Sequence, residues 1–295
     1  MIILVAGGTG RLGSRLANRL SRLGHEVRVL SRGLTPPSCE LDSGVVVVRG
    51  DVRDPRTLQE PARGADVVVS AVQGFQGPGD VSPAGVDRDG NLHLIEAAEQ
   101  ARARFVLLSV IGAAADSPME LFRMKYAAEQ RLRASSCRWT IVRADAYAEL
   151  WRDLMVQTAG RSHRPLVFGD GSTPIAFVSI DDVVDLVERT VLDPGLAGRT
   201  VEICGPEAVS MVELAGMVMR TRSWSGSPRR VPRPMLHLMA GTVGLVRPTF
   251  RRQAKAALAM DELPTRTDSN LRREFPGLER TAVSSVVGAR STRHA

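Results

Sequence analysis

Aromatic residues are scarce: they make up 4% of the 295 residues, and two of them are tyrosines. With so few rings to stack on bases, the formal net charge of +7 points only weakly to nucleic acid. Most basic residues are scattered and interleaved with acids. The densest cluster is Arg229, Arg230 and Arg233, joined later by Arg247, Arg251 and Arg252. Nucleic acid is therefore not an expected partner. Cysteine is rarer still. Cys39, Cys137 and Cys204 form an odd, widely spaced set, which excludes a disulfide framework and a metal-ligand pattern. No metal is expected. No uninterrupted apolar stretch reaches bilayer-spanning length, so no membrane partner is expected. Met1 opens directly on an apolar run, and the expectation is a cytoplasmic protein without a cleaved leader. Lysine is nearly missing: Lys125 and Lys255 stand in a chain otherwise supplied with arginine. A Ser-His-Asp order is absent as well, which excludes a hydrolytic triad.

Glycine and short apolar runs are what the chain does have. Residues 1–6 read as a strand buried on both faces. The segment "VAGGTGRLGSRLANRLSRLGHEVRVLSRG" then carries glycines at 7, 10 and 13, followed by leucines at 12, 16, 20 and 23. That spacing predicts a turn, a helix lying on a sheet, a stop at Gly24 and a second strand over 27–30. Gly7 would permit the tight turn, Gly10 the close approach of backbone to a pyrophosphate, and Gly13 the packing of helix on strand. Thr9, Arg11 and Leu12 share this cradle, with the phosphates on free N–H groups of the helix start. An NAD site usually has a carboxylate after the second strand; here stand Ser31 and Arg32, which suit a 2'-phosphate. Arg11 approaches the same phosphate in this reading. The expected cofactor is NADPH/NADP+.

The rest of the chain repeats the alternation. Residues 45–48 read as a third buried strand, with Asp51 after it to accept from the adenine amino group and Val52 to cover a ring face. Asp54 and Pro55 start a helix, and 66–70 form a fourth strand. At its end Ala71, Val72 and Gln73 would pass beside the nicotinamide ribose. Next come a helix from about Pro83, a strand over 105–109, a helix over 119–133 and a strand over 139–143. Beyond Tyr147 the rhythm loosens: short strands over 166–168, 176–178 and 201–204, a helix over 181–191, and a helix capped by Ser210 with Glu213. The fold class expected is α/β, a Rossmann-like doubly wound parallel sheet with a smaller C-terminal substrate-binding portion and a helical lid. Residues 1–150 are expected to form the dinucleotide-binding core. Residues 151–286 form a mixed portion with some segments returning to the core, the lid spans 227–250, and 287–295 form a flexible tail. The carboxyl ends of the strands bring Gly7, Gln73, Ser109 and Ala144 to one crevice.

In these segments the chain resembles the atypical short-chain dehydrogenase/reductase group, in its NmrA-like and isoflavone-reductase-like branches. The matching stretches include "VAGGTGRLG", "LSRG", "RGDVRD", "SAVQG", "FVLLSVIGA" and "FRMKYAAEQRLRASSCRWTIVRADAYAE". The resemblance implies an NAD(P)(H)-binding protein, and in many members reduction of ketones, quinones or carbon–carbon double bonds. It also implies a Ser-Tyr-Lys arrangement. Lys125 fills the lysine place, as holder of the nicotinamide ribose, but Leu121 stands four before it. Ile111 occupies the usual hydroxyl position two after Ser109; Ser109 reads as structural at the strand end, with backbone N–H groups near it and Gln73, an ordered water or a substrate hydroxyl left to meet the oxygen. Tyr126 is turned about 100° from Lys125 on a helix and is not a substitute.

Catalytic candidates are thus Lys125, Ser109 and Tyr147, of which Ser109 and Lys125 also belong to the cofactor set. Phe75, Tyr147, Trp151, Met155 and His237 are the candidate substrate contacts. The expected activity is NADPH-dependent reduction of a ketone on a bulky, aromatic small molecule, in secondary metabolism such as antibiotic biosynthesis. The alternatives are a quinone or carbon–carbon double-bond reductase, and a non-catalytic NADP(H)-sensing regulator or assembly protein. The partner is a small-molecule ketone or quinone, and the chain is expected as a monomer or weak homo-oligomer.

Overall fold

A computed structural model describes residues 1–33, 36–75, 81–235, 256, 258–259 and 270–289. The chain divides into two compact units. The first comprises Met1–Arg143 and Val183–Glu202, the second Ala144–Asp182 and Ile203–Ala295.

The first unit opens with β1 (Ile2–Ala6), α1 (Arg11–Arg22), β2 (Glu26–Ser31) and β3 (Val45–Arg49). A short α2 (Gln59–Ala62) leads to β4 (Val67–Ser70), then α3 (Asn91–Ala101), β5 (Arg104–Val110), α4 (Glu120–Arg133) and β6 (Trp139–Ala144). With β9 (Arg199–Ile203) these strands form one seven-stranded sheet in the order β3-β2-β1-β4-β5-β6-β9. β1 pairs in parallel with both β2 and β4, and Ala6 stands level with Leu30 on one side and Ser70 on the other. The order reverses direction at β1 and β4, the place where an open α/β sheet forms its crevice. β1 is apolar along its length and β4 up to its terminal Ser70, because both strands are buried. On α1, Leu12, Leu16 and Leu20 are buried, each contributing about 1.5–3 kcal/mol of apolar burial. Leu23 lies past the stripe at the helix end, 52% exposed, and Gly24 takes the left-handed turn at φ +81°.

Three expectations change here. β3 is an edge strand paired with β2, and Val46 and Val47 are 52% and 55% exposed rather than buried. The helix expected from Pro83 opens as a π-helical segment, Ala84–Gly90, before α3. The stretch after Asp54 is a 3-10 turn, Pro55–Thr57, in which Asp54 does accept from the Arg56 N–H at 3.2 Å.

The second unit contains α5 (Ala148–Ala159), β7 (Leu166–Phe168) and β8 (Pro174–Ile175). α6 (Ile180–Leu192) begins in it and ends in the first unit, where Glu188 and Asp185 pair with Arg19 of α1. β10 (Val209–Ser210), α7 (Met211–Thr221), β11 (Arg229–Val231), α8 (Asn270–Glu274) and α9 (Val283–Gly288) complete it. Met155, Phe177, Leu214, Val283 and Val287 share one core. Residues 176–178 are buried but unpaired as a strand, apart from a bridge from Val178 to Tyr147. The start of the expected lid is a strand: β11 pairs in parallel with β7, and 236–250 lie outside the described residues. The tail expected from 287 is ordered at its start. Val287 is 4% exposed in α9, and the buried Arg152 donates to Val286 O and Ala289 O at 2.9 and 3.3 Å. Residues 290–295 lie outside the described residues.

Candidate nucleotide-binding site

The glycine loop is shaped by what a side chain would strike. A Cβ on Gly7, at φ +80°, would stand 2.6 Å from Ala71 O, and one on Gly13 would stand 2.3 Å from Gly7 O. Gly8, which the motif spacing passes over, is equally constrained, at 2.7 Å from both Val29 methyls. α1 begins at Gly10 with no side-chain cap and no acid in its first turn, while Arg19 and Arg22 stand in its last. Its positive end therefore carries no carboxylate in the first turn, the arrangement that favours an anion. The Leu12 side chain is buried, so its part in the cradle would be its backbone N–H. Thr9 is half-buried and its carbonyl accepts from Ser38 N–H at 2.8 Å, so the chain after β2 folds back on the loop. Arg11 is half-buried on the first turn.

At the other end of the crevice, Ser31 Oγ accepts from Gly33 N–H at 3.1 Å, and Arg32 is exposed. A groove of about 980 Å³ runs past Arg32, Arg49, Gly50, Asp51 and Asp54. Asp51 is not a free acceptor for adenine. Its carboxylate meets Arg53 at 2.8 Å and also accepts from Arg53 N–H at 3.0 Å. Those bonds, with Arg32 adding to them, hold its pKa below the usual range. Val52 is buried in the core against Gly90 rather than presented as a ring cover.

After β4, Ala71 is half-buried, Val72 buried and Gln73 exposed. Lys125, 4% exposed on α4, donates from Nζ to Val72 O at 2.9 Å. The same ammonium lies 3.1 Å from Asp87 Oδ1. Asp87, Asn91 and Ser70 form a buried polar cluster beside Lys125 that the motif reading missed. Their signal was present: Asp87 and Asn91 stand four apart, in line with Leu94 on the buried stripe, where a polar pair is out of place. Leu121 is buried and Tyr126 half-buried. Ser109 does not offer a free donor. It is 3% exposed, and its Oγ donates to Glu129 Oε1 at 2.6 Å, inside a pair with Arg143 at 2.7 Å. Phe75 is half-buried just past Gly74.

The remaining candidates belong to the second unit. Tyr147 precedes α5, and burial pushes its phenol above the ordinary range, with Glu149 adding to it. Trp151 packs edge-on to Phe177 at 6.4 Å. With Met155, Val167 and Phe168 it lines a space of about 30 Å³, room for a water or two and not for a bulky ring system. His237 lies outside the described residues. Among the described residues no group of three or more potential ligands gathers for a metal, and no helix is long and apolar enough to cross a membrane.

The open helix start, and the glycines whose Cβ atoms would collide, fit a dinucleotide. The comparisons with known proteins agree: residues 7–160, more than half of the chain, match the family described as NAD(P)H-binding. The chain belongs to that family. Its cofactor is a nicotinamide dinucleotide, NAD(P)(H). The chain is 29% identical over 219 residues to the NAD(P)H azoreductase of Xenophilus azovorans, covering 72% of this chain and 71% of that one. It is 26% identical over 246 residues to the photosystem II assembly factor Ycf39 of Synechocystis, covering 81% and 73%. In fold it is similar to the NADPH-dependent quinone oxidoreductase QOR2 of Escherichia coli, with a TM-score of 0.78 at 18% identity, covering 97% and 98%.

Proposed function

We propose that the protein reduces a ketone on a bulky, aromatic small molecule with NADPH, as a monomer or weak homo-oligomer serving secondary metabolism such as antibiotic biosynthesis. One observation carries this reading: the buried Lys125 ammonium is bonded to the carbonyl of Val72, in the segment that follows β4, while no hydroxyl stands where the family's proton donor would. In this reading the N–H groups of the glycine loop and α1 hold the pyrophosphate, Ser31 and Arg32 the 2'-phosphate, and Lys125 the nicotinamide ribose. The cofactor supplies a hydride to the substrate carbon when bound. With Leu121 and Ile111 in the hydroxyl positions and Ser109 bonded to Glu129, the chain contributes placement more than proton transfer. A substrate whose ketone neighbours its own phenol or enol suits such a site. Relatives named as an azoreductase, a phenylcoumaran benzylic ether reductase and a pinoresinol reductase support an aromatic substrate.

NADPH consumption against a panel of polycyclic ketones and quinones, with product masses, tests the reaction. Secondary alcohols are expected; hydroquinones or saturated bonds would replace the ketone reading by a quinone or double-bond reductase. Kd for NADPH and NADH tests the cofactor. Arg32→Ala is expected to weaken NADPH about tenfold or more and leave NADH unchanged. The three relatives named as photosystem II assembly factors favour a second reading, a non-catalytic NADP(H)-binding assembly or sensing protein. It predicts tight NADPH binding with no turnover anywhere in the panel.

A further inference from the structure

Asp87 sits at the middle of the π-helical segment Ala84–Gly90 and has no exposure at all. Wide turns of this kind are rare and concentrate at functional sites. Its Oδ2 accepts from Gly74 N–H at 2.8 Å. Its Oδ1 makes no well-aligned hydrogen bond and faces the Lys125 ammonium, 3.1 Å away. The main chain around it is fixed too: Asn91 Nδ2 donates to Asp87 O at 2.7 Å, and Ser70 Oγ donates to Asn91 Oδ1 at 2.6 Å. Close packing backs this up. A Cβ on Gly74 would stand 2.3 Å from Ser82 O, and one on Gly90 would stand 2.7 Å from a Val52 methyl.

Burying a carboxylate so completely has a large desolvation cost, and an apolar pair of the same volume is commonly as stable or more so. What an apolar pair cannot do is hold an ammonium and an amide in fixed places. We infer that Asp87 is a positioning residue for the cofactor: it sets the Lys125 ammonium and the main chain of 72–74 at the place of the nicotinamide ribose. This rests on the reading of Lys125 as the ribose anchor. Asp87 touches neither the ribose nor the reacting carbon, and acts through Lys125 and Gly74.

A double-mutant cycle on NADPH affinity of the full chain tests it. Lys125→Met is expected to raise Kd about tenfold or more. Asp87→Asn, which keeps the shape, is expected to raise it nearly as much, and the double variant to do no worse than Lys125→Met alone. Additive effects, or Asp87→Asn with unchanged Kd, would overturn the inference and leave Asp87 to packing. A Kd unmoved by Lys125→Met would instead remove the anchor, and the reading beneath this inference with it. Should Asp87→Asn fail to fold, the wild-type chain decides. It has two lysines, so the ¹⁵N ammonium signal of Lys125 can be followed on adding NADPH. A shift is expected, and a stationary signal would overturn the inference.

Discussion

Asp145 follows β6 and accepts from Ala146 N–H at 2.7 Å. Among the described residues no cation offsets its burial, which pushes its carboxyl up to about 6. The folded state therefore resists its ionisation. Its contribution to stability is greatest below the unfolded carboxylate range and is lost as pH rises through about 6. Asp145→Asn keeps an acceptor for Ala146 N–H and removes the charge. The variant is expected to be more stable by about 2–3 kcal/mol near pH 8, and no more stable below about pH 4. Urea melts at the two pH values check this, and a gain independent of pH would contradict it. Tyr126 offers a second comparison. One residue beyond the buried Lys125 on α4, it is turned about 100° away from the site. Tyr126→Phe is expected to leave kcat/KM within about twofold, the scale of a lost contact away from the reacting groups. Loss of activity with cofactor affinity intact would make Tyr126 the acid.

Elements carry their own signatures unequally. α7 is explicit: Ser210 Oγ accepts from Glu213 N–H at 3.2 Å, and Glu213 accepts from Ser210 N–H at 2.7 Å. Ser210→Ala is expected to destabilise the protein by about 1 kcal/mol, read as a lower urea midpoint at constant slope. The glycine loop was equally legible, because at Gly7 and Gly13 no other residue fits. β3 was not. A run of valines records apolar character but not how many neighbours a strand has, and this one lies at the edge with Val46 and Val47 outward. The bonds that occupy Asp51 and Ser109 were also hidden. Arg53 is near in sequence, but which of many arginines closes on Asp51 is a matter of side-chain geometry; Glu129 reaches Ser109 only once α4 has packed on the sheet. Asp87 shows the reverse case, a polar residue on an apolar stripe whose partner is set by tertiary packing.

At the scale of the molecule, the family match and the crevice of the sheet belong mainly to the first unit. There the charge pattern is consistent: α1 offers its positive end without an acid, and Arg32 stands where NAD sites keep a carboxylate. The second unit has its own core, closed by α9 and the buried Arg152. The claim that matters most is that the bound dinucleotide is used, with hydride passed to a ketone carbon. It is tested most directly with NADPH carrying deuterium at both C4 positions, incubated with the wild-type chain and a polycyclic ketone. The account predicts one deuterium on the carbinol carbon of the product for each NADPH consumed. NADPH bound but unconsumed, or an alcohol without deuterium at that carbon, would contradict it.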